Sequence, residues 1–242
     1  MKTGPHRLRN GGVALYEETE RLEKKRGELL RSGVTMLDPS AVYVEDTVTV
    51  GAGTLLLPGT ILRGSTSVGR DCTLGPDTML TDCTVGDNVT VNSSQCEKSS
   101  IGNGCEIGPF AHIRPGCTVG ENSKLGAFVQ VKNSALGAGT KMAHLTYVGD
   151  SDVGDGCNFG CGTVTCNYDG FIKSRTRIGN RVFIGCNTNF VPPVSVGDGA
   201  YIAAASTVTE DVPADALTIG RVRQENKKGW AEVNRRKHGA KE

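Results

Sequence analysis

The chain of 242 residues carries 27 basic and 26 acidic side chains, so a net charge of +1 supplies no global field to draw in nucleic acid or an anionic membrane. Glycine at 33 residues and aromatics at 5% suit a fold that turns often and packs small aliphatic side chains, not one built around large rings. The nine cysteines are odd in number and contain no C-x-x-C pair, which indicates neither a full disulfide framework nor a zinc ribbon.

In chain order, "MKTGPHRLRNGG" lacks the apolar core of a secretory signal, and no window approaches the apolar length of a spanning helix. Residues 1–12 are expected to be a flexible N-terminus and the protein to be soluble and cytoplasmic. Residues 13–33 predict one helix, with Leu15, Leu22 and Leu29 on a seven-residue spacing and Gly33 placed to end it. From Val44 an aliphatic side chain returns every six residues, at Val50, Leu56, Leu62, Val68, Leu74 and Leu80. After a slip it resumes at Val85 and Val91, blurs through "SSQCEKSS", and returns at Ile101, Ile107, Ile113, Val119, Leu125 and Val131. Further slips lead to Leu136, Met142, Val148, Val153 and Phe159, and a last run holds Ile178, Ile184, Phe190, Val196, Ile202 and Val208.

This pattern, with glycine after many of the aliphatics, resembles the hexapeptide repeat of left-handed parallel β-helices. The fold class expected is an all-β solenoid, a left-handed parallel β-helix over 34–213 preceded by one α-helix, with roughly nine coils rising about 4.8 Å each. Cys72, Cys105, Cys117 and Cys157 fall four places after a repeat aliphatic, where a compact side chain is wanted. Residues 167–177 break the period and predict a loop extruded from one corner; residues 214–242 leave it as a C-terminal arm and basic tail.

Three hexads make one coil, so the register predicts neighbours. Arg114 and Lys132 fall side by side on adjacent strands, where like charges are unfavourable unless both splay into solvent or together clamp a dianionic phosphate. His144 stands in a column with Ala127, Cys161, Cys186 and Ala204, an imidazole beside small side chains that leave a groove for a thin ligand. The extruded loop adds Asn167, Tyr168 and Lys173.

From "GPFAHIRPG" through "VKNSALGAGTKMAHLTYVGD", "GCGTVTCNYDG" and "VGDGAYIAAASTVTEDVPADAL" to "GRVRQENKKGW", the chain resembles the acetyltransferase half of bacterial bifunctional N-acetylglucosamine-1-phosphate uridylyltransferase/glucosamine-1-phosphate N-acetyltransferases. The resemblance implies transfer of acetyl from acetyl-CoA, a co-substrate, to the 2-amine of glucosamine 1-phosphate, with no metal required. It implies His144 as general base; Arg114, Lys132, Tyr147 and Lys173 on the sugar phosphate; and Asn158, Asn167 and Tyr168 around the sugar. It further implies the Cys161 amide as oxyanion donor, Cys186 and Ala204 along the pantetheine, and Arg221 on a CoA phosphate. A homotrimer with sites between subunits follows from the same resemblance, with the loop and C-terminal arm crossing the interface. The family's nucleotidyltransferase half is not in this sequence, so uridylyl transfer is not expected. Gln130 stands where an acidic residue is expected, and Cys161 and Cys186 replace smaller or hydroxyl groups on neighbouring strands within disulfide reach.

Three other readings compete. A zinc hydratase on the same fold needs three converging histidines, and here His6 and His238 lie outside the coils. A non-catalytic trimer that recruits a separate nucleotidyltransferase is the second, and an acetyltransferase for another amino sugar the third.

Overall fold

The structure, a computed structural model, describes residues 13–239. The segment expected to be a flexible N-terminus lies outside the described residues. Helix α1 (Val13–Arg31) ends at Gly33, whose φ of 92° is the left-handed conformation that glycine adopts without strain. The chain then winds into a left-handed parallel β-helix with three flat faces. Face I stacks eleven strands from Thr35–Met36 to Leu217–Thr218, face II ten from Tyr43–Val44 to Thr207–Val208, and face III nine from Thr49–Val50 to Val194–Val196.

The coil count exceeds the sequence expectation because the first and last rungs lack complete hexads. Met36 pairs with Leu56 before the period starts, and Thr218 pairs with Ile202 after it ends, so the solenoid runs past residue 213. A second helix, α2 (Trp230–Lys237), stands in the expected tail with no buried residue.

The repeat aliphatics point inward and form files along the axis. On face II, Leu62, Leu80, Ile113, Val131, Val148 and Phe190 are completely buried, and each such side chain contributes about 1.5–3 kcal/mol by leaving water. Two places that blur the sequence period are filled by non-aliphatic residues. Cys96 continues the file between Leu80 and Ile113, and Thr165 continues it ahead of Phe190. Thr165 is fully buried, and its hydroxyl is satisfied on both sides by Gly149, accepting from its N–H at 2.7 Å and donating to its carbonyl at 3.1 Å.

The compact residues at the corners have a polar task. Thr188 Oγ1 donates to Gly185 O at 2.7 Å, and the thiols of Cys72, Cys105 and Cys157 reach carbonyls of the following coil at 3.0–3.1 Å. Cysteine there acts as a small hydrophobe with a weak donor, and all four cysteines singled out from the sequence are buried.

Helix α1 closes the open end of the solenoid. Leu29 is buried there, Lys25 Nζ donates to Asp46 O and Val48 O at 2.8 and 2.7 Å, and Arg26 Nε donates to Val42 O at 3.0 Å. Basic side chains thus cover first-coil carbonyls that have no preceding strand to receive them.

Candidate active site

Two corners of the prism, on either side of face II, carry the candidate residues. The first corner joins face I to face II. Its central turn position reads Pro58, Pro76 and Pro109 in earlier coils, then Ala127, His144, Cys161, Cys186 and Ala204. Ala127 pairs directly with His144, and the ladders Met142↔Phe159, Phe159↔Ile184 and Ile184↔Ile202 carry the column onward. Proline has no N–H, so the early coils offer no donor along this seam. Where proline stops, the amides of Cys161, Cys186 and Ala204 find no acceptor among the described residues. They form a line of free donors spaced by about 4.8 Å. Arg221 folds onto the far end, its Nε donating to Ala204 O at 3.0 Å.

His144 begins this line. Its side chain is exposed and bonds no protein group among the described residues, and its carbonyl accepts from Thr146 Oγ1 at 2.7 Å. Next to it, Phe110, Phe128 and Leu145 occupy successive corners at φ values of 59°, 59° and 42°. Bulky residues rarely adopt that conformation. They form an exposed apolar ridge, with the two phenyl rings stacked at 5.4 Å.

The second corner joins face II to face III. Ile113 pairs with Val131, which sets Arg114 beside Lys132 as the spacing predicts. Lys132 Nζ lies 3.9 Å from a carboxylate oxygen of Asp150, whose side chain is only 7% exposed. The side-chain amides of Asn133 and Asn167 both donate to that carboxylate. Arg175 fixes the loop's return by gripping Asp152 and donating to Ser151 O at 3.1 Å and Asn133 O at 3.2 Å.

The extruded loop is a tight hairpin. Tyr168 bridges Lys173 in antiparallel register, Ser174 N donates to Asn167 O at 3.0 Å, and Asp169 Oδ1 caps the tip by accepting from Phe171 N and Ile172 N. Strand pairing resumes at Thr176, so the excursion is shorter than residues 167–177; Thr176 is buried and already opposite Ser151.

This hairpin brings Lys173 against Lys132 of its own chain. The Lys173 ammonium, with partial burial and the charge of Arg114, pushes Lys132 below the ordinary lysine range, while Asp150 pulls the other way. Lys132 and Lys173 therefore converge on one carboxylate with Arg114 beside Lys132, leaving an excess of positive charge that a dianion would neutralise.

Tyr147 lies on face II between the two corners, paired with Gln130 and Val164. Gly149 leaves room for the Tyr147 ring, since a β-carbon at 149 would collide with the Tyr147 hydroxyl. Three residues are not brought to this cluster. Asn158 lies on face I between Lys141 and Phe183. Tyr168 is exposed, and its hydroxyl is engaged by Gly170 O. His144 sits across face II, roughly 15 Å of extended backbone from Lys132.

The family model "Bacterial transferase hexapeptide (six repeats)" matches residues 98–133 and 175–210. The bifunctional protein GlmU of Brevibacillus brevis is 48% identical over 91% of this chain and 48% of its own length. The GlmU of Caldanaerobacter subterraneus subsp. tengcongensis is 50% identical over 84% of this chain and 44% of its own length. This chain belongs to the bacterial hexapeptide transferases. It spans about half the length of the curated relatives it matches, and its likeness is to their acetyltransferase half. Among solved structures, LpxA from Acinetobacter baumannii aligns at 17% identity and a TM-score of 0.36, covering 74% of this chain and 69% of its own, too loosely to bear on function.

In this hexapeptide transferase the organising residue of the cation cluster, Asp150, escapes a reading based on spacing alone. Its signal is an acidic residue closing "HLTYVGD" at a corner, at φ 49° and nearly buried. Burial opposes its ionisation, but the hydrogen bonds from Asn133 and Asn167 and the charges of Lys132 and Lys173 hold it below the ordinary carboxylate range. A depressed carboxyl contributes stability that is present above its unfolded value of about 3.9 and lost as pH falls through the folded one. Thermal melts of the native chain and Asp150→Asn should therefore differ by a constant gap between about pH 5 and 8, closing in more acid solution. A gap that persists unchanged in acid would show that the charge of Asp150 contributes nothing.

No group of three or more His, Cys, Asp or Glu side chains among the described residues is arranged to hold a metal ion. No described helix is long and apolar enough to cross a membrane.

Proposed function

We propose that this chain is a glucosamine-1-phosphate N-acetyltransferase, moving acetyl from acetyl-CoA to the 2-amine of glucosamine 1-phosphate to give N-acetylglucosamine 1-phosphate. The observation that carries this reading is the pairing of a cation cluster (Arg114, Lys132, Lys173) with an unencumbered imidazole, His144, at opposite edges of one face. The amine of glucosamine 1-phosphate sits on the carbon next to the one that bears the phosphate, so the long side chains of Arg114, Lys132 and Lys173 reach across face II to hold the phosphate while the amine faces His144.

The free amides of Cys161, Cys186 and Ala204 suit the co-substrate, because an extended pantetheine carries amide carbonyls that can accept along such a line. Acetyl-CoA supplies an activated acetyl as its thioester. His144 takes the proton released by the sugar amine, a task suited to imidazole near neutrality. The Cys161 amide lies one strand spacing from His144, and we assign it the role of donor to the acetyl oxygen as negative charge develops there. Arg221, at the end of the line, is assigned to a CoA phosphate.

Asn158, on the neighbouring face, reaches the acceptor only if another copy brings its face I beside face II of the first. We therefore read the functional unit as a homotrimer. The exposed apolar ridge of Phe110, Phe128 and Leu145, the hairpin tip with Phe171 92% exposed, and Trp230 on the unpartnered α2 supply surfaces for it. The relatives are named as bifunctional proteins, and a cytoplasmic place in cell-wall precursor synthesis follows only if this chain shares that activity.

The direct test is free-thiol release from acetyl-CoA with glucosamine 1-phosphate, with other amino sugars alongside; release with none of them would remove the reading. Cysteine chemistry gives a second check. Six of the nine cysteines are buried, so a native-state thiol titration should find only Cys161, Cys166 and Cys186. Saturating acetyl-CoA should shield Cys161 and Cys186 and spare Cys166. Equal reactivity of all three with and without it would place the co-substrate elsewhere.

A further inference from the structure

Face II carries a polar file of which the candidate chemistry uses only Tyr147. Gln95, His112, Gln130 and Tyr147 are consecutive partners in register, with Glu97 two residues along from Gln95. His112 Nε2 lies 3.6 Å from a Glu97 carboxylate oxygen, and His112 Nδ1 lies 3.5 Å from the side-chain amide nitrogen of Gln130. His112 Nε2 is buried and has no completed hydrogen bond, while the Gln130 side-chain carbonyl accepts from nothing among the described residues. The groups are thus aligned in register at separations slightly beyond a closed hydrogen bond.

With a neutral imidazole the three groups allow one consistent assignment. A carboxylate only accepts, so Glu97 calls for a proton on His112 Nε2. A neutral imidazole then has its lone pair on Nδ1, which calls for the NH₂ end of Gln130. The carbonyl oxygen of Gln130 becomes the free end, on a residue paired with Tyr147 and two places from Lys132 along the strand.

We propose that Glu97 and His112 are positioning residues that lock the Gln130 amide so that its carbonyl oxygen, in place of a carboxylate, receives a donor group of the amino sugar. This inference rests on the acetyltransferase reading above and adds a specificity determinant to it. A carboxylate at 130 would accept through either oxygen and need no orienting; a glutamine must be held one way round.

A double-mutant cycle tests it. His112→Leu, and separately Glu97→Leu, should raise KM for glucosamine 1-phosphate about three- to tenfold with kcat nearly unchanged, the range expected for one misdirected hydrogen bond. Made on a Gln130→Glu background, the same His112 substitution should cost less than a third as much. Equal costs in both backgrounds overturn the proposal. A readout independent of turnover is ¹⁵N NMR of the whole chain at mildly alkaline pH. His112 should show a protonated Nε2 and an unprotonated Nδ1, and the Gln130 side-chain amide signals should move on His112→Leu. The opposite tautomer, or unmoved Gln130 signals, overturns the proposal whether or not the protein acetylates this sugar. Absence of turnover with the expected NMR pattern would instead refute the acceptor assignment alone.

Discussion

Alanine in place of His144 should lower kcat for acetyl transfer by about 10²- to 10⁴-fold, the usual contribution of a positioned general base, and leave KM for the sugar phosphate within about twofold. The imidazole bonds no protein group among the described residues, so its removal leaves no buried partner stranded and should not disturb the fold. The corner can absorb the change, because Ala127 already occupies the same turn position one coil earlier. Loss of rate without loss of melting temperature would thus isolate chemistry from structure. Steady-state thiol release compares the two proteins directly, and a variant as fast as its parent would dismiss His144 as the base.

The second large effect concerns the anion site, and it should appear in the other kinetic parameter. Arg114→Ala should raise KM for glucosamine 1-phosphate and lower kcat/KM by about 10- to 150-fold, the equivalent of one charge-assisted hydrogen bond worth about 1.5–3 kcal/mol. Arg114 contributes only repulsion to Lys132 in the free protein. Its removal should therefore leave thermal stability unchanged or slightly higher, the reverse of what a structural residue would do. The loss should shrink as salt rises, since screening weakens the parent's attraction for a dianion more than the variant's. Unchanged KM at low ionic strength would mean that the phosphate binds elsewhere.

Much of this was legible in the chain because a solenoid converts sequence distance into spatial distance by simple counting. The six-residue spacing of aliphatics places Arg114 beside Lys132 and His144 beside Ala127 without any knowledge of side-chain packing, and both pairings occur. Counting fails where an inward position is polar or the coil is short. Thr165 stands in the core because Gly149 satisfies its hydroxyl, and that local exchange leaves no trace in hydropathy. Cys96 hides similarly among serines. The hairpin's return is also invisible to counting: it depends on Arg175 gripping Asp152, and it sets Lys173 near Lys132. The same limit explains why Glu97, His112 and Asp150 were passed over, since each matters through what lies opposite it.

The three edges of a triangular coil are geometrically near-equivalent, yet this protein treats two of them differently. At the edge joining face III to face I, side-chain oxygens of the following coil plug the exposed donors: Asp87 accepts from Arg70 N, Asn103 from Asp87 N, Asp155 from Ala138 N, Asn180 from Asp155 N and Asp198 from Asn180 N, all at 2.7–2.9 Å. Along the edge that begins at His144 no such stoppers occur among the described residues, and cysteine and alanine stand where aspartate or asparagine would. A scaffold whose symmetry would otherwise offer interchangeable berths is made one-sided by a handful of short acids and amides. Asparagine introduced at Cys186 and Ala204 should accordingly shut the remaining berth from within while leaving the winding of the chain intact.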